Sequence, residues 1–156
     1  MSCGYGDCDT GMPTTTMPTE LIDGFPSYSA IEDVELLSSS KEIAEVNESS
    51  LAENDKRPRF NIYGADIPYQ HLGISGTLSL NFYNNRLQST IFYPDKADDY
   101  LKKIGESGLT FADTDAVSTS SNTIVRKGID YKGRFYVAWS DRALEKEHDC
   151  WIMKYA

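Results

Sequence analysis

Few residues of this chain combine the type and spacing that chemistry needs. His71 lies in the segment Gly64 to Gly73 with Asp66 nearby. An imidazole beside a carboxylate is the beginning of a general base near neutral pH, so a small hydrolase or ligand-binding site on that segment is one reading. His148 is flanked by Glu145, Glu147 and Asp149, but it falls on the apolar stripe of the last expected helix, where packing explains it. No G-x-S-x-G, phosphate-binding loop, dinucleotide fingerprint or H-E-x-x-H accompanies either histidine, so no catalytic residue and no cofactor are assigned. Asp7 with Asp9, and Asp113 with Asp115, lack the remaining ligands of a calcium loop. Cys3 and Cys8 lack the second pair of a structural zinc site. No metal site is assigned.

The three cysteines, Cys3, Cys8 and Cys150, are an odd set. In an oxidising compartment Cys3 and Cys8 close a small loop, or a lipidated Cys3 leaves Cys8 to pair with Cys150; in a reducing cytosol all three are thiols. Tyrosine, with 10 copies, offers large contact area with a polar tip. Tyr63, Tyr69, Tyr83, Tyr131 and Tyr136 fall on expected loops, turns or the outer face of a strand, and with His71 they form the candidate binding surface.

Charge narrows the partners. Fifteen basic against 24 acidic residues give a net charge of −9 and a pI near 4.6, which argues against nucleic acid, whose affinity comes from Lys and Arg on phosphates. A basic protein partner fits. No apolar run approaches the roughly 20 residues that cross a bilayer. The start, Met1-Ser2-Cys3-Gly4 followed by a Pro- and Thr-rich stretch, resembles that of a processed bacterial lipoprotein. The resemblance implies lipidation at Cys3 and a periplasmic or outer-membrane location, against a cytoplasmic one without it.

The elements that would hold these residues are legible by period. Leu78, Leu80 and Phe82 alternate with polar residues, Asn84-Asn85 supplies a tight turn, and Arg86 to Tyr93 returns. Pairing Tyr83 with Arg86 sets Phe82 opposite Leu87, Leu80 opposite Ser89, and Leu78 opposite Ile91, with Phe92 on the outer face. Asp95 then caps a helix bearing Tyr100 and Ile104. Asn122 to Ile129 and Arg134 to Trp139 form a second hairpin closed by Gly133, with Ile129 opposite Phe135 and Val125 opposite Trp139, and Asp141 starts the final helix carrying Leu144, His148, Trp151, Ile152 and Tyr155. Ser29 to Glu32 has the spacing of a helix-capping box, Arg59 to Tyr63 reads as a strand, Gly64 to Gly73 as a loop because Pro68 cannot donate to a ladder, and Leu109 to Asn122 as a surface connection.

The expected fold is α+β: one antiparallel sheet built from two strand-turn-strand-helix units, with helices packed on one face as a second layer. Residues 1–22 form a tether and 23–156 a single domain. The function expected is that of a non-enzymatic protein-binding domain of inhibitor or immunity type, whose acidic surface engages a basic partner. An envelope lipoprotein with a structural or accessory role is the second reading, and the His71 site the third.

Overall fold

A computed structural model describes residues 18–34, 40–44, 61–111, 114–120 and 122–155, with the backbone alone at 40–44 and 155. It contains a seven-stranded antiparallel sheet in the order β1-β2-β3-β4-β7-β6-β5. The strands are β1 (Ser40–Ala44), β2 (Ile62–His71), β3 (Ile74–Tyr83), β4 (Arg86–Pro94), β5 (Ala116–Ser118), β6 (Thr123–Ile129) and β7 (Phe135–Asp141), with helices α1 (Ala97–Glu106) and α2 (Arg142–Tyr155). The α+β class with an antiparallel sheet is therefore that of the protein.

The β3–β4 hairpin turns where the asparagines require it: Asn84 and Asn85 both adopt positive φ, 50° and 63°. Their side chains are used as well, since Asn84 Oδ1 accepts from the Asn61 N–H (2.9 Å) and Asn85 Oδ1 from the Ile31 N–H (3.0 Å). Tyr83 pairs with Arg86 and Phe82 with Leu87, but beyond them the register shifts by one: Asn81 meets Ser89, Leu80 meets Thr90 and Leu78 meets Phe92. Gln88 is thus the extra residue of a bulge, which inverts the alternation downstream of it. The bulge brings Phe92 onto the core face with Leu78 and Leu80, all at 0% exposure. Thr90 also turns inward and takes the Ile22 N–H on its hydroxyl at 3.4 Å.

The segment read as a loop is the second half of β2. Gly64 to His71 pairs continuously with β3, and Pro68 stands opposite Thr77. Among the described residues β1 covers only Ile62 to Ala65, so Pro68 has β3 alone as its paired neighbour, as a proline in a strand requires. The return to β3 is a two-residue turn in which Leu72 and Gly73 have φ of 55° and 83°. The capping box at Ser29 yields only a 3-10 turn over Ile31–Asp33; the Ser29 hydroxyl bonds Pro26 O instead (2.8 Å). Asp95 does not cap α1, whose N-cap is Lys96 without a side-chain bond. The stretch 109–122 contributes β5 as a short edge strand on β6.

Two clusters bury the two faces. Leu78, Leu80, Phe82, Phe92, Val125 and Val137 form the main core with Tyr100 and Ile104 of α1. Leu21 and Ile22, at the end of the stretch read as a tether, are buried in it too, at 4% and 1% exposure. Helix α2 packs elsewhere, with Leu144 and Trp151 against Tyr83. Side chains of successive strand residues point to opposite faces, so Tyr83 faces away from Phe82, and Arg126 away from Val125. Arg126 binds Glu145 (3.0 Å) and Arg86 binds Glu147, both acids on α2. The two helices therefore lie on opposite faces of the sheet, which corrects the expectation of a single helical layer. The expected cap of α2 is present: Asp141, fully buried, accepts the Leu144 N–H at 2.9 Å and the Ser27 hydroxyl at 2.6 Å.

Candidate functional site

Strand β2 carries His71 to the main core face, where its ring meets Trp139 and Phe92 edge-on at 5.6 and 6.0 Å between centroids. Nδ1 lies 2.6 Å from the Tyr100 hydroxyl and Nε2 lies 3.3 Å from Asp23 Oδ1. With Tyr100 donating to Nδ1, the Nε2–H faces the carboxylate and both ring nitrogens are partnered. Asp23 also takes the Tyr69 hydroxyl on Oδ2. It stands in the left-handed region (φ 51°) before Gly24 (φ 78°), a conformation Asp tolerates better than most side chains. Burial pushes the phenols of Tyr100 and Tyr69 up and the His71 imidazole down, while Asp23 partly opposes the latter.

This network borders a cavity of about 590 Å³. His71, Trp139 and Ile104 line it together with the Thr19–Leu21 segment and with Thr119, Ser120 and Thr123. Two of these hydroxyls are linked, with Ser120 donating to Thr123 at 3.0 Å and Thr123 donating to Glu20 O at 3.3 Å. His71 serves there as a cross-link between β2, α1 and the N-terminal segment. Asp66, its sequence neighbour, instead accepts from the Ser79 hydroxyl near contact distance.

The remaining predicted residues divide. Tyr63 and Tyr69 pack against the main core. Tyr83 is 2% exposed and stacks on His148 at 4.9 Å, 3° from parallel; burial pushes its phenol up to about 12. Tyr131 and Tyr136 both belong to the β6–β7 hairpin, the first in its turn and the second on β7 opposite Gly128. There Ile129 and Tyr131 are 63% and 91% exposed, Tyr136 lies 6.0 Å from Tyr93, and the Arg134 guanidinium sits 4.3 Å from the Tyr93 ring centre. Asp130 holds the tip by accepting from the Lys132 and Arg134 N–H groups at 2.9 and 2.8 Å. Sequence reading missed Asp23, Tyr100, Trp139 and Tyr93, although Asp23-Gly24 is a turn signal in its own right.

Among the described residues, no three metal-ligating side chains converge and no helix is long and apolar enough to cross a membrane. Cys150 on α2 is disulfide-bonded; the other cysteines, Cys3 and Cys8, lie outside the described residues. No protein-family model, curated protein or solved structure matches the chain.

A pH dependence follows from the histidines. Burial pushes His148 down as it does His71, with Asp149 and Glu145 opposing. The folded state therefore binds fewer protons than the unfolded chain once pH falls below about 6.5. Stability is full above that pH and declines as pH drops through it, by at most about 1.4 kcal/mol per pH unit per histidine. The urea midpoint is expected to be lower at pH 5.5 than at pH 7.5, with part of the slope removed in His71→Gln. Equal midpoints in the wild type would contradict this.

Proposed function

We propose that the chain is a non-enzymatic protein-binding domain of inhibitor or immunity type, which contacts its partner through the β6–β7 hairpin. The observation that carries this reading is the exposure of Ile129 and Tyr131 at its tip. Tyr93 and Tyr136, with ring centres 6.0 Å apart, lie on the other face of the sheet from Ile129, whose pairing partner Phe135 packs against the main core. Large rigid aromatics of this kind dominate binding energy at interfaces. The hairpin itself bears Lys132 and Arg134, so the acidic charge acts at longer range. A net charge of −9, including exposed Asp98 and Asp99 at the start of α1, would raise the encounter rate with a basic protein. The engagement of both His71 nitrogens supports binding over turnover. We read Ile74–Glu106 and Thr123–Tyr155 as two hairpin-helix units of one plan, joined where β4 pairs with β7.

The test is capture of partners by the wild type and by Ile129→Ser/Tyr131→Ala at low and high salt. A basic protein retained at low salt, released as salt rises, and bound at least tenfold more weakly by the variant is expected. Equal retention by the variant, or indifference to salt, would refute the reading. The disulfide at Cys150 favours a second one, an envelope protein, because disulfides persist in oxidising compartments. Intact mass of the protein from its source would decide: an acylated amino-terminal cysteine supports the lipoprotein, and an unmodified thiol at Cys3 removes it.

A further inference from the structure

The cavity beside His71 plays no part in the hairpin contact, and its lining is selective. At about 590 Å³ it falls within the range of sites that hold small organic molecules. Among the described residues no lysine or arginine lines it. A phosphate or carboxylate would therefore lose its hydration there without a cation in return.

The deeper wall is apolar and aromatic. Leu21, Ile104 and Trp139 line it at 4%, 2% and 8% exposure, and surface of that kind gains most from an apolar ligand face. The rest of the lining is rich in hydroxyls, from Thr19, Ser107, Thr119, Ser120 and Thr123. Ser107 donates its hydroxyl to Ile104 O at 2.7 Å, Ser120 to Thr123 and Thr123 to Glu20 O, but a hydroxyl oxygen has two acceptor lone pairs, so the rim offers acceptors to a ligand bearing hydroxyl donors. Glu20, the carboxylate of the lining, adds an acceptor. His71, partnered by Tyr100 and Asp23, stiffens the wall. An apolar wall, a hydroxyl-rich edge and no lining cation among the described residues suit a neutral sugar ring.

We propose that this cavity is a binding site for a neutral mono- or disaccharide, held between the apolar wall at Trp139 and the hydroxyls of Thr119, Ser120 and Thr123. The site binds without transforming the sugar. It is independent of the hairpin contact, and either can fail alone.

The experiment titrates the full chain with glucose, N-acetylglucosamine and maltose, following tryptophan fluorescence and the indole N–H resonances, with glucuronate and inorganic phosphate as anionic comparators. A saturable response to at least one neutral sugar with a millimolar Kd is expected, and at least tenfold weaker binding of both anions. Thr119→Phe and Ser107→Phe place a ring in the mouth from exposed positions. Each is expected to weaken the sugar at least tenfold while leaving Tm within about 2 °C. Absence of a saturable response to every neutral sugar up to about 50 mM would overturn the proposal. Tighter binding of phosphate or glucuronate would overturn it too, as would sugar binding that neither plug diminishes.

Discussion

Replacing Cys150 with serine is expected to cost about 3–5 kcal/mol of unfolding free energy, the largest single loss in the molecule outside its core. Cys150 is disulfide-bonded on α2, and the chain's other two cysteines stand at positions 3 and 8. Either pairing closes a loop that includes nearly the whole domain. The cross-link therefore restricts the unfolded ensemble far more than a local bridge would, since loop-closure entropy grows with loop length. The neighbouring Trp151 is buried with Leu144 and Tyr83, so loss of the tether acts on a helix that covers the second face of the sheet. For a chain of this size the Tm should fall by roughly 10 °C or more. Reduction of the wild type should give the same loss, and Cys150→Ser should then be insensitive to reductant. A variant with wild-type Tm under oxidising conditions would exclude a stabilising disulfide.

Alanine at Gly76 should destabilise by about 3 kcal/mol or more. Gly76 pairs with Tyr69 on one side and Pro94 on the other. A Cβ there would collide with the Tyr93 carbonyl and lie 2.9 Å from both the Phe92 ring and the Pro94 Cα. Two of those obstacles are backbone, which cannot rotate away, and Phe92 is fully buried. Relief requires β4 to move from β3 in the middle of the sheet, and overpacking of that kind costs more than a surface change. Ser75→Ala, one residue away and exposed, serves as the control and should stay within about 0.5 kcal/mol. Similar urea midpoints for the two variants would show that the strands separate without penalty.

Where a signal lies within a few residues of its effect, the amino-acid sequence determined the outcome. The Asn84-Asn85 turn, the Gly133 turn with Ile129 opposite Phe135, the Asp141 cap of α2 and the positions of Tyr100 and Ile104 on α1 all rest on local conformational preference and short periodicity. Tertiary structure decided the rest. Pro68 lies in a strand because it pairs with Thr77 of β3 while, among the described residues, β1 pairs no further than Ala65, and nothing in its own segment reports that. The bulge at Gln88 gains burial of Phe92 against Leu78, a benefit counted across the sheet and not along the chain.

The candidate site shows the same division. His71 was legible as a residue of interest, but its partners Asp23, Tyr100 and Trp139 come from three distant segments. The tyrosines separate into packed and exposed sets by the same physics: Tyr83 is drawn under α2 because that helix has an apolar side to bury, while Tyr131 stays in solvent because its turn extends past the last strand pairing. Turns and caps are decided by a handful of neighbouring atoms, whereas faces, registers and sites are decided by burial free energy summed over segments that meet only when the chain is folded.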